Sequence, residues 1–151
     1  MIYIAYPSET PEEIKEVFSE LTQTFEVTTP EDRSKLPKEE FPEKSRALLK
    51  ESSIFIAEAS SESSGLEIEV TSAHEEKIPI LLFVKFGRDY PTPLKDFYLR
   101  LIKYSTAEDL KIKLNKFLSD EFPGESKKDY FKYSDKKQYQ AYKKGWERKY
   151  K

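Results

Sequence analysis

Two short stretches of this chain are apolar at almost every successive position: Ile54-Phe55-Ile56-Ala57 and Ile80-Leu81-Leu82-Phe83-Val84. A strand with one wet face alternates polar and apolar residues, so strands without alternation are covered on both faces. Between the two lies a helix-length polar segment, the connection that parallel neighbours in a sheet require. A parallel sheet with helices on both sides is therefore the expectation.

The rest of the chain repeats the pattern. Residues 2–6 form a first β-type run, and residues 25–28 a brief second one. Between them Ile14, Val17, Phe18 and Leu21 are spaced as one buried helix face. Thr10 is the expected N-cap there, with Pro11 at the first helical position and Glu13 completing a capping box. Residues 30–42 read as a charged, proline-bearing connection, a lid or an excursion, with Thr29 as a cap. Residues 44–52 are predicted helical with Leu48 and Leu49 inward, residues 53–58 form the third strand, and residues 79–85 the fourth. The loop 86–93 carries Gly87, Arg88 and Tyr90, placed to cap a bound ligand or stack on it. Residues 94–102 have helical spacing through Leu94, Phe97, Tyr98 and Leu101, leaving 103–105 as a very short fifth strand. Thr106 as N-cap and Asp109 at N3 then open a last helix, whose apolar face is Leu110, Ile112, Leu114, Phe117 and Leu118. Five such units predict a Rossmann-like, flavodoxin-like three-layer α/β sandwich with strand order 2-1-3-4-5. Its ligand crevice lies at the carboxyl ends of strands one and three, which brings residues 6–8 beside residues 60–69.

The segment after strand three is the most informative for function. Ser60, Ser61, Ser63 and Ser64 precede Gly65, and Leu66-Glu67-Ile68-Glu69-Val70 begins a helix-like run. A helix start offers unpaired N–H groups and a positive dipole end, which suit an anionic or hydroxyl-rich ligand. About one turn in, Glu69 can accept hydrogen bonds from a sugar or attack its anomeric carbon. By spacing alone, Glu67, Glu69, Glu75 and Glu76 fit the solvated face of a surface helix equally well. Tyr6, Pro7 and Ser8 are candidate binding residues whose types also suit an ordinary turn.

Ser64-Gly65-Leu66-Glu67-Ile68-Glu69-Val70, followed by Ala73 and Ile78-Pro79-Ile80, resembles the signature of the nucleoside 2-deoxyribosyltransferase superfamily. That superfamily includes the 2'-deoxynucleoside 5'-phosphate N-hydrolases. The resemblance spans roughly residues 1–120 in element order. It implies Glu69 as the nucleophile that takes the sugar from the base. Ser63, Ser64 and Gly65, with Tyr6, Pro7 and Ser8, would contact the sugar or its 5'-phosphate. It also implies a homodimer, a nucleoside or nucleotide substrate, and no metal or organic cofactor. Two positions depart from the family pattern. Thr71 stands where a second glycine is usual, and Ser45 stands where an aspartate assists the leaving base. Serine is no acid or base near neutral pH. Glu43, two residues away, is the candidate substitute, ahead of Glu51. An inactive nucleotide-binding module is the rival reading.

Composition narrows the chemistry. Without cysteine there are no disulfides or thiolate sites, and one histidine, His74, rules out a multi-histidine zinc centre. His74 reads as a helix-surface residue. No apolar run approaches the ~20 residues of a membrane span, and no signal peptide is evident, so a cytoplasmic location is expected. Lys and Glu dominate the 36% of charged residues, while asparagine and methionine occur once each, a thermophile-like trend. Charge is unevenly placed: residues 125–151 carry a net +6 and residues 1–124 a net −8. We therefore divide the chain into an α/β domain, 1–121, and a basic, aromatic C-terminal extension, 122–151. In the extension Tyr139, Tyr142, Trp146 and Tyr150 would share one stripe of a helix capped by Ser134. Docking on an acidic body or a second subunit is the favoured role, with nucleic-acid or protein recognition through the tail as the rival.

Overall fold

The first strand, β1 (Ile2–Ala5), is buried at all four positions and pairs on both edges. In a computed structural model, which describes residues 1–120, it lies second in a five-stranded sheet of order β2-β1-β3-β4-β5. Every pairing is parallel. The other strands are β2 (Val27–Thr28), β3 (Ile54–Glu58), β4 (Ile80–Lys85) and β5 (Arg100–Tyr104). The expected tail helix and the boundary after residue 121 lie outside the described residues. Among those described, no helix is long and apolar enough to cross a membrane.

Successive strand residues point to opposite faces, so the unbroken apolar runs serve two cores. Ile54, Ile56, Leu81 and Phe83 pack under α1 (Glu12–Glu20) and α5 (Ala107–Asp120). Phe55, Ala57, Ile80, Leu82 and Val84 pack on the other face with Leu49 of α3 (Phe41–Lys50) and Leu66, Val70 and Ala73 of α4 (Ser64–Glu75). The residues Ile14, Val17, Phe18 and Leu21 are buried together as their spacing required.

Four local expectations are corrected. Pro11, not Thr10, is the N-cap of α1, and no side chain caps it. Thr10 instead donates its N–H to Pro7 O at 3.1 Å in a tight turn and is buried there. Inside the expected lid, Thr29 does cap, but it starts a helix, α2 (Pro30–Ser34), with a reciprocal Thr29–Asp32 capping box. Residues 94–102 are not helical: a 3-10 turn, Thr92–Asp96, is ended by extended Phe97, and β5 takes Arg100–Tyr104. Two prolines confine that turn, and Leu99 and Leu101 pack on the α3/α4 side while Ile102 and Tyr104 face α1 and α5. That two-residue alternation is a strand's. Finally, Ile112 is 58% exposed, on the outer side of α5, while Leu110, Leu114, Phe117 and Leu118 are buried.

Candidate active site

The loop after β3 turns into α4 through Ser63, whose extended backbone and Oγ cap the helix by accepting from Leu66 N at 3.3 Å. The helix thus starts at Ser64, two residues before the expected Leu66. Ser64 and Gly65 are exposed in its first turn. A Cβ at Gly65 would meet only Ser63 Oγ, at 3.8 Å, so the fold itself does not require glycine there.

Glu69 leaves α4 on the flank next to buried Leu66, Val70 and Ala73, and its side chain is 29% exposed. The Tyr3 hydroxyl, rising from β1, donates to Glu69 Oε2 at 2.6 Å. Arg33 Nη2, from α2, lies 3.6 Å from the same oxygen. Burial, and next the charge of Glu69, push the Tyr3 hydroxyl well above its ordinary range, so it remains a donor. A donor and a cation on one oxygen fix the carboxylate's orientation by charge-assisted bonding.

Arg33 is itself buried, 2% exposed, and its five donors are largely committed. Nη2 donates to Ile4 O at 2.5 Å, and Nη1 donates to Thr28 O at 3.1 Å and Thr28 Oγ1 at 3.3 Å. Its guanidinium lies 3.9 Å from the Tyr3 ring centroid, a cation–π contact. The short α2 is thereby pinned across the ends of β1 and β2.

The first loop joins the same network through α2. The Tyr6 hydroxyl donates to Glu31 Oε2, and its ring stacks on Phe18 at 5.8 Å. Burial and then Glu31 raise the Tyr6 hydroxyl well above its usual value. Pro7 is buried; Ser8 is exposed, with its Oγ donating to Glu9 at 3.3 Å and its carbonyl accepting from Lys15 Nζ at 2.8 Å.

On α3, Ser45 faces the Tyr3 hydroxyl. Its Oγ is enclosed and completes no hydrogen bond, the one such buried side-chain atom among the described residues. Glu43 is exposed in the first turn of α3, and Glu51 is exposed at its end. His74 lies on the surface against Phe97, ring centroids 4.7 Å apart, as its spacing suggested. Tyr90 is half-buried against the α3/α4 core, whereas Arg88, beyond the left-handed Gly87, is exposed. Among the described residues no group of three acidic, histidine or cysteine side chains is placed to hold a metal.

Two members of this constellation were missed in the sequence. Tyr3 reads simply as strand core, although a hydroxyl-bearing ring in an aliphatic central strand is a signal. Arg33 gives none, being one charge among many in the polar connection.

No protein-family model and no curated protein matches the chain. Among solved structures it is similar to the CMP N-glycosidase BcmB of Clostridium botulinum, with a TM-score of 0.61 and 18% identity. The match covers 78% of this chain and 98% of that one, so the two share a fold over nearly the whole of the enzyme.

Proposed function

We propose that the protein cleaves the N-glycosidic bond of a nucleoside or nucleotide, with Glu69 as nucleophile. The observation that carries this reading is the carboxylate on α4 held through Oε2 by Tyr3 and Arg33 at the β1/β3 crevice. The fold shared with a nucleotide N-glycosidase supports it.

In the proposed reaction the other carboxylate oxygen of Glu69 bonds to the anomeric carbon. The carbon–nitrogen bond breaks through an oxocarbenium-like state, and its electron pair leaves with the base, which takes up a proton. Glu43 is the candidate source of that proton. Water then attacks the glycosyl ester, returning the Glu69 carboxylate and releasing the free sugar or sugar phosphate. Attack by a second base would instead give glycosyl transfer. Ser63, Ser64 and Gly65 would meet the sugar or its 5'-phosphate, together with Tyr6, Pro7 and Ser8. Space in front of Gly65, left free by the fold, supports close approach of a ligand there.

A second reading, binding without chemistry, is favoured by Ser45, which offers a hydroxyl where a proton donor is wanted. Incubation with nucleosides and their 5'-monophosphates, with free base measured by chromatography, separates the two. Base release that disappears in Glu69→Ala supports cleavage. Saturable binding with no base released supports the module.

A further inference from the structure

On the face of the sheet away from Glu69, the carboxyl ends of β3, β4 and β5 open onto a cavity of about 250 Å³ between the starts of α1 and α5. Its buried wall is the Glu58 carboxyl, only 4% exposed. Three donors converge on Glu58 Oε1: Ser60 N at 3.0 Å, the Ser60 hydroxyl, and the Tyr104 hydroxyl at 3.3 Å. Ser60 Oγ in turn accepts from Lys85 N at 2.8 Å, so the ends of β3 and β4 are locked together around the carboxyl. A carboxyl this deep in a cleft is costly to maintain and marks a candidate site.

The rim has a different character. Lys85 and Arg88 both line the opening, and neither makes a salt bridge or side-chain hydrogen bond among the described residues. Some other cations pair, Arg46 with Glu75 and Glu76, Lys95 with Asp89, Lys111 with Glu20, and Lys113 with Asp109, while others such as Lys50 and Lys77 stand outside salt bridges as Lys85 and Arg88 do. Ser105 and Thr106 also line the cavity, the Ser105 hydroxyl donating to Asp109 Oδ2 at 3.1 Å and Thr106 Oγ1 accepting from Asp109 N at 3.1 Å, and exposed Glu9 and Glu13 line the α1 side. The buried Glu58 carboxyl and Tyr104 hydroxyl match the hydroxyls of a sugar, and the two rim cations outside salt bridges, Arg88 among them acting on Glu58 through its charge, match a phosphate. At about 250 Å³ the space lies just under the usual range for ligand pockets, which restricts it to a small metabolite.

We propose that this cavity is a second binding site that takes a phosphorylated monosaccharide. Glu58, Tyr104 and Thr106 engage its hydroxyls, and Lys85 and Arg88 hold its phosphate. Burial raises the Glu58 pKa, while the Ser60 and Tyr104 donors and the charge of Arg88 oppose that rise. The cavity is lined by none of Tyr3, Arg33 and Glu69, and it borders their crevice through Ser60 and Ser61 of the loop before α4.

Titration of the isotope-labelled full chain with ribose 5-phosphate, followed on backbone amide shifts, tests it. Saturating shifts are expected at Ser60, Arg88 and Thr106. They should persist in Glu69→Gln and weaken in affinity by about tenfold or more in the Lys85→Ala/Arg88→Ala double variant. Inorganic phosphate should compete. Both substituted side chains are exposed, so that variant keeps its fold, which the same spectra verify. Shifts confined to the surroundings of Glu69, no shifts at millimolar ligand, or affinity unchanged in the double variant would each overturn the proposal. Tighter binding of a nucleoside 5'-monophosphate with the same Lys85 and Arg88 dependence would overturn its size restriction.

Discussion

Glu69 is a surface-helix glutamate by spacing and something else by surroundings. Its Oε2 meets a tyrosine hydroxyl and a guanidinium, both anchored in the sheet. On the proposed mechanism Glu69→Gln lowers base release by roughly three orders of magnitude or more, since the acceptor of the glycosyl group is lost. Tyr3→Phe keeps the ring and removes only the donor, so base release should fall roughly tenfold to a hundredfold, the worth of one charge-assisted hydrogen bond. Its stability should change little, and urea denaturation alongside kinetics checks both. Arg33→Met leaves Ile4 O, Thr28 O and Glu69 without their partner. We expect a loss of about 3 kcal/mol in denaturant unfolding, as for other broken buried ion pairs.

Glu58 supplies a residue-scale test that needs no substrate. Burial, the largest influence, raises its folded pKa above the unfolded value, while Ser60, Tyr104 and Arg88 oppose that rise. The folded state therefore binds the proton more tightly. The stabilisation is fully present below the unfolded carboxylate pKa and is lost as pH rises through the raised folded value. Glu58→Gln lacks this dependence. Its stability should improve relative to wild type as pH climbs from the normal carboxylate range through the raised value, and then hold level. A pH-independent difference between the two proteins would contradict this.

At the scale of elements, what was legible in the sequence followed from how many physical signals coincided. β3 and β4 were legible because continuous apolar runs admit few readings, and α1 because four apolar residues share one face. The segment before Tyr104 was misread because Leu94, Phe97 and Leu101 satisfy a helical period while Leu99, Leu101 and Ile102, Tyr104 satisfy a strand's. Pairing with Leu81–Lys85 decides between them, and that contact is not local. Likewise α2 depends on a capping box whose Thr29 half was visible, although five residues make a marginal helix without tertiary support. Arg33 provides that support, linking α2 to β1 and β2. Thr29→Ala should accordingly cost about 1 kcal/mol of stability. It should also reduce base release, because Arg33 loses its platform. The site was legible as far as α4 and the loop before it; Tyr3 and Arg33 enter from β1 and α2, whose approach to Glu69 is set by sheet order.

For the whole molecule, the order β2-β1-β3-β4-β5 places the switch point between β1 and β3, where Tyr3 reaches Glu69. The Glu58 cavity borders that crevice through Ser60 and Ser61 but is lined by none of Tyr3, Arg33 and Glu69. The fold is shared with a CMP N-glycosidase, but a fold hosts many chemistries, and the assignment rests on the carboxylate. Intact-protein mass spectrometry, after exposure to a nucleotide analogue whose glycosyl ester hydrolyses slowly, tests that assignment most directly. We predict a mass gain of one glycosyl unit that maps to Glu69 and is absent from Glu69→Gln. Release of base without any adduct, or an adduct on another residue, would contradict it.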